Sequence, residues 1–157
     1  ILVIGKGMGG GMPVGAFVAS EAHMDLLYDN PKLGHITTFG GHPVIAAACL
    51  ATLQEITETN LMAETLEKEK LFRKLLVDPL ITEVRGKGLM LAAMTESPNI
   101  TNEVILRCHK RGLILFWLLF EGTAIRITPP LTISNQEIEE GCQLLLEVMD
   151  EVEALNL

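Results

Sequence analysis

The first four residues, Ile1-Leu2-Val3-Ile4, are an unbroken apolar run without a single polar position. Such a strand has no face to give to water, so it belongs inside a sheet covered on both sides. The neighbouring residues narrow the options further. Gly5 to Pro13 is a glycine-rich turn carrying one lysine, Lys6, and Val14 to Ala19 reads as a second short strand. The opening strand has no initiating methionine and no polar lead-in, and the chain is therefore expected to be a portion of something longer.

The next segment, Glu21 to His35, reads as mixed structure, with Asn30-Pro31 and Gly34 marking a loop. Thr37-Thr38-Phe39-Gly40-Gly41-His42-Pro43 reads as another loop that ends at a helix start, where Pro43 suits the first helical position. Val44 to about Glu58 is apolar almost all round, the pattern of a buried helix. Leu61 to Val77 is charged and amphipathic instead, and ends near Asp78-Pro79. This abrupt change of composition puts a domain boundary near Asn60, between residues 1–59 and 60–157. The second part reads as a small α+β domain. Its expected strands are Ile81 to Arg85, Leu89 to Met94, Leu113 to Trp117 and Ala124 to Thr128. Its expected helices are Asn102 to Arg111, with Gly112 just past the end, and one capped by Ser134 with Glu137 completing a capping box. Ile138, Cys142, Leu145, Met149 and Val152 give that last helix one apolar stripe.

Composition limits the function classes. Of 157 residues, 48% are hydrophobic and 20% charged, which excludes a disordered chain. The net charge of −8 opposes a phosphate backbone, so nucleic acid is not an expected partner. The three cysteines, Cys49, Cys108 and Cys142, are far apart and lack metal-ligand spacing. No metal is expected, and the setting reads as reducing and cytoplasmic. The longest apolar run, Leu113 to Phe120, is too short to span a bilayer, so no membrane role is expected.

The chemistry centres on the glycine-rich turn. Gly5-Lys6-Gly7-Met8-Gly9-Gly10 formally matches the dinucleotide-binding GxGxxG after a strand, with Asp25 or Asp29 as a ribose partner. That motif must open a helix, yet Gly11, Met12, Pro13 and a β-like stretch come next. A helix after Gly10 would favour the dinucleotide reading; a hairpin would favour the alternative. In the alternative, Lys6 ends an apolar strand and is expected to be poorly solvated. Burial disfavours an ammonium, and a neutral amine attacks carbonyls.

Lys6-Gly7-Met8-Gly9-Gly10-Gly11-Met12-Pro13-Val14-Gly15-Ala16 resembles the Schiff-base lysine segment of class III (omega-type) aminotransferases, which use pyridoxal 5'-phosphate on the fold type I scaffold. Three further segments are similar to the same family in the same order. Thr37 to Pro43 resembles its Ser-Thr-Phe/Tyr-Gly-Gly-Asn-Pro segment. Val84-Arg85-Gly86-Lys87-Gly88-Leu89-Met90 resembles its entry to the small domain. Ile125-Arg126-Ile127-Thr128-Pro129-Pro130-Leu131 resembles its carboxylate-binding arginine segment.

The resemblance implies an α/β chain forming the C-terminal part of a fold type I protein. Residues 1–59 would end the cofactor-binding large domain and residues 60–157 would form the small domain. It implies amino transfer from an ornithine, acetylornithine or 4-aminobutyrate type of donor to 2-oxoglutarate, in a homodimer. Lys6 would hold the cofactor and shuttle a proton, Thr38 would bind its phosphate across the dimer, and Arg126 would grip the substrate carboxylate. His42 stands where the family has Asn and is expected to cap the following helix. The family's pyridine-nitrogen aspartate, stacking aromatic and main phosphate loop precede its lysine and have no counterpart here, so the 157-residue chain is expected to be inactive alone. Decarboxylases and aminomutases share these motifs, and a non-catalytic dimerisation remnant is a further reading. His109 is expected at the surface and Trp117 in the core. Asn99-Ile100-Thr101 is a glycosylation sequon by pattern, without meaning in a cytoplasmic protein.

Overall fold

Residues 1–155 are described by the computed structural model, which divides into two units, Ile1–Asn60 and a second beginning at Leu61. In the first, β1 (Leu2–Gly5) and β2 (Gly15–Val18) pair antiparallel, with Leu2 opposite Val18 and Gly5 opposite Gly15. A 3-10 turn over Lys6–Gly9 leads from β1 towards the return strand. Gly10 and Gly11 come next with φ of 55° and 103°, a region glycine enters without the Cβ penalty. Gly10 has a second reason to be glycine. A Cβ there would press on the Thr52 hydroxyl of α2 (Pro43–Glu58), so this helix backs the turn. A short helix, α1 (Glu21–Met24), and a 3-10 turn over Asp25–Leu27 occupy part of the stretch expected to be mixed.

The apolar β1 and α2 are not covered within this unit. Ile1, Leu2 and Val3 are exposed, and α2 has no buried residue. A strand apolar on both faces needs a covering layer on each side, and a two-stranded hairpin with one long helix cannot supply both. The apolar pattern is there; the partner surfaces that would bury it are not among the described residues.

The second unit contains α3 (Leu61–Leu75), β3 (Glu83–Lys87), β4 (Met90–Met94), α4 (Pro98–Lys110), β5 (Phe116–Leu118), β6 (Glu121–Ile127) and α5 (Asn135–Glu153). Its strands form one antiparallel sheet in the order β3-β4-β6-β5. Side chains alternate between the two faces. Leu91, Ala93, Ile125 and Ile127 join the main core with Phe72, Val104, Ile105, Ile138, Met149 and their helical neighbours. Ala92, Met94 and Ala124 form a smaller cluster of their own, with Leu118 packed on it.

Boundaries shift where local chemistry competes with periodicity. The expected strand at Leu113 starts later, at Phe116, because the Leu113 N–H is taken by the Cys108 carbonyl at the end of α4, next to Gly112 at φ 89°. In return β6 starts earlier, at Glu121, which pairs with Leu118 across the two-residue loop Leu119-Phe120. Helix α4 begins at Pro98 rather than Asn102, since the Ser97 hydroxyl accepts the Ile100 N–H and Pro98 takes the first helical position. Cys108 and Cys142 are buried free thiols whose ionisation burial pushes up to about 11 and about 12. Among the described residues no helix is long and apolar enough to cross a membrane.

The β3–β4 hairpin is tied to α3. The Arg73 guanidinium donates to the Val84 and Gly86 carbonyls, and Glu69 accepts the Gly88 N–H at 2.5 Å and the Arg73 Nε–H at 2.8 Å. Gly86, at φ 110°, tolerates no side chain, because a Cβ would overlap the Met90 carbonyl oxygen. At the other end of the unit the Ser134–Glu137 capping box opens α5 as expected.

Two measurements test these contacts. Ser134→Ala is expected to lower the unfolding free energy by about 1 kcal/mol in urea titrations. The Gly88 N–H, then Arg73, hold the Glu69 carboxyl below its ordinary value of 4.5. That stabilisation is present above the ordinary value and is lost as pH falls through the lower folded value. The hydrogen-exchange protection factor of Gly88 should therefore drop on acidification below about pH 4.5. Glu69→Gln should weaken it at neutral pH, and unchanged protection in that variant would remove the proposed anchor.

Candidate functional site

Lys6 stands where β1 gives way to the 3-10 turn, with glycine on either side. Its φ of 53° lies in the left-handed region, unusual for a residue with a Cβ and a local cost the fold sustains. The side chain is exposed rather than buried, which corrects the expectation of a poorly solvated lysine. The physical reason is close to the one found for β1: α2 backs the turn at Gly10, and that cover leaves Lys6 exposed. No helix opens after Gly10. The chain returns as β2, so the helix N-terminus that a dinucleotide pyrophosphate requires is not built here.

Thr38 sits in a tight double turn. The Gly40 N–H bonds the Thr37 carbonyl and the His42 N–H bonds the Phe39 carbonyl, both at 3.2 Å, with Gly41 at φ 72°. Thr38 is exposed, and no hydrogen bond engages its hydroxyl among the described residues. His42 occupies the cap position of α2 but makes no side-chain cap bond; its contribution is its backbone carbonyl, which accepts the Ala46 N–H at 2.9 Å. The expectation of a capping imidazole is thereby corrected.

Arg126 lies in the second unit, on β6, directly opposite Ala92 of β4 and Phe116 of β5. Strand alternation puts it on the sheet face of Ala92 and Ala124, away from the main core. The other four arginines all have carboxylate partners: Arg73 with Glu69, Arg85 with Glu83, Arg107 with Glu103 and Glu151, Arg111 with Glu147 and Glu151. Arg126 pairs with no carboxylate among the described residues. Its guanidinium lies over the Phe116 ring, 5.1 Å from the centroid, and its Nε is buried without a hydrogen-bond acceptor. A partly buried cation left unpaired in a chain with this excess of carboxylates is a ready receptor for an external anion. A cavity of about 160 Å³ in the same unit is lined by Phe116, Arg126 and Thr128 together with core side chains such as Phe72 and Cys142.

Lys6 and Thr38 thus belong to the first unit and Arg126 to the second. Sequence reasoning missed Phe116. Its signal lies in register, since Phe116 faces Arg126 across a hairpin whose two strands both start away from their expected positions. Trp117 is not a core residue: it is over a third exposed and meets the His109 ring edge-on at 6.0 Å. Thr101 of the sequon is fully buried and shares a 2.8 Å hydroxyl contact with Thr95.

The family model described as aminotransferase class-III matches residues 1–149. The acetylornithine aminotransferase of Caldanaerobacter subterraneus subsp. tengcongensis is 34% identical over 97% of this chain, which spans 38% of that relative. Among solved structures, the acetylornithine aminotransferase of Elizabethkingia anophelis is 29% identical, with a TM-score of 0.81 over 95% of this chain and 40% of its own. The ornithine aminotransferase of Toxoplasma gondii, which carries pyridoxal phosphate at partial occupancy in its active site, is 25% identical, with a TM-score of 0.82 over 98% of this chain and 37% of its own. The chain therefore spans about two fifths of the length of the relatives it matches. With a family model covering nearly all of it and the same fold in these enzymes, the chain belongs to the class-III aminotransferases.

Proposed function

We propose that this chain supplies the lysine, one phosphate ligand and the carboxylate-binding arginine of a pyridoxal-phosphate-dependent aminotransferase. The amino group passes from an amino acid or amine of the ornithine, acetylornithine or 4-aminobutyrate type to 2-oxoglutarate. The observation that carries this reading is Arg126, the one arginine without a carboxylate partner among the described residues, in a chain whose family match also covers Lys6.

The donor set suits the cofactor. An exposed primary amine at Lys6 can reach an aldehyde, and glycine at positions 7 and 11, with no atom near a hypothetical Cβ at either, leaves open space beside it. The Thr38 hydroxyl, exposed on its turn and without a hydrogen bond among the described residues, suits a phosphate oxygen. When bound, pyridoxal phosphate supplies an electron-withdrawing ring that stabilises negative charge developing at the substrate α-carbon. Lys6 Nζ would hold the cofactor through its aldehyde carbon. The same amine would accept the substrate α-proton and give it back, as general base and then general acid. Thr38 Oγ1 donates to the phosphate of the neighbouring subunit's site, so the working form is a homodimer. Arg126 pairs through the edge of its guanidinium with both oxygens of the substrate carboxylate and so sets the orientation of the α-carbon.

On this reading residues 1–59 close the cofactor-binding domain and residues 60–157 form the small domain. The exposed apolar side chains of β1 and α2 are then surfaces awaiting further protein, and the 157-residue chain alone does not transfer amino groups. Three cysteines held as free thiols agree with a cytoplasmic setting.

Sub-stoichiometric pyridoxal phosphate, followed by borohydride reduction and peptide mapping, should place the reduced adduct on Lys6 and lose it in Lys6→Ala. Adducts confined to other lysines would overturn the assignment. Turnover of any amino donor by the purified 157-residue chain would overturn its predicted inactivity.

A further inference from the structure

The arrangement around Arg126 goes beyond its pairing with a carboxylate. Phe116 and Arg126 are directly opposed on neighbouring antiparallel strands, so their Cβ atoms are held close by the hydrogen-bond ladder itself. On the other side of Arg126 the opposed residue is Ala92, which offers no bulk to lean on. The guanidinium lies over the phenyl ring at 5.1 Å. The Phe116 and His109 rings meet edge to face with centroids 6.2 Å apart, and a His109 ring nitrogen is anchored on the Leu115 carbonyl.

We infer that Phe116 is a positioning residue for Arg126: its ring holds the guanidinium by the face and leaves the in-plane edge free for a substrate carboxylate. This inference rests on the reading of Arg126 as the carboxylate receptor. A carboxylate partner within the protein would occupy the donor edge, as it does for Arg73, Arg85, Arg107 and Arg111. An aromatic partner holds the same cation without consuming an N–H, because the attraction is to the ring's quadrupole. Restraining a long side chain before the ligand arrives removes part of the ordering cost of binding. The buried, acceptor-less Nε shows how tightly the stem is enclosed. Ring and arginine together therefore make a preorganised anion receptor in an acidic protein, where a free guanidinium would find competing carboxylates.

The test uses glutarate, a non-reacting dicarboxylate, titrated into the protein and followed on the Arg126 Nε–H resonance and by calorimetry. In the wild type that proton should show a ring-current displacement and saturable perturbation by glutarate. Phe116→Leu should remove the displacement and weaken binding about five-fold, whereas Phe116→Tyr should stay within about two-fold of wild type. Pentafluorophenylalanine incorporated at Phe116 keeps the ring's shape but withdraws its negative face, and should weaken glutarate as Leu does; this isolates the electrostatic role should the Leu variant fail to fold. Arg126→Gln should abolish binding in every background. If Arg126→Gln binds glutarate normally, or the wild type shows no saturable response, the carboxylate reading falls and this inference with it. If Arg126→Gln abolishes binding while the fluorinated ring binds like wild type, the positioning role of Phe116 is overturned and the carboxylate reading stands.

Discussion

The antiparallel pairing of β4 with β6 is the constraint on which the second unit depends. It sets Leu91 opposite Ile127 and Ala93 opposite Ile125, and these four side chains give the helices an apolar surface to pack on. The same register sends Ala92, Ala124 and Arg126 to the other face. A slip of one residue would exchange the faces and put a guanidinium against Val104 and Met149. Such a slip would also carry Ile125 and Ile127 out of the core, so the placement of Arg126 follows from the same pattern that builds the core.

Around this sheet the fixed points are polar contacts that satisfy backbone groups. Arg73 and Glu69 serve carbonyls and an N–H of the β3–β4 hairpin, and Lys68, almost fully buried, donates to the Leu131 carbonyl at 2.9 Å while pairing with Glu64. These groups look like an ordinary charged helix face in the sequence. They are in fact the means by which α3 holds a glycine-bearing hairpin and the segment after β6. Charge on α3 is thus partly structural, whereas Arg126 has no carboxylate partner among the described residues.

Much of this is legible in the residues. The Ser134–Glu137 capping box, the stripe on α5, Gly112 after α4 and the hairpin around the lysine turn arise from local rules that hold whatever the surroundings. Expectation and structure part where two local rules compete. At Leu113 strand propensity loses to helix capping, and at Ser97-Pro98 the cap and the proline start α4 ahead of the expected Asn102. The apolar β1 and α2 stay uncovered for another reason: an apolar pattern states what a segment needs, not whether a neighbour meets the need.

Residue types at short, fixed spacing were enough to carry the class-III aminotransferase resemblance and the turn that bears Lys6. Tertiary structure alone decided that Lys6 stands exposed, that His42 caps only through its backbone and that Phe116 lies beneath Arg126. Exposure depends on which surfaces come to cover a segment, and a cross-strand contact depends on register across a loop. Neither is encoded in local spacing, so both appear only when the chain has folded.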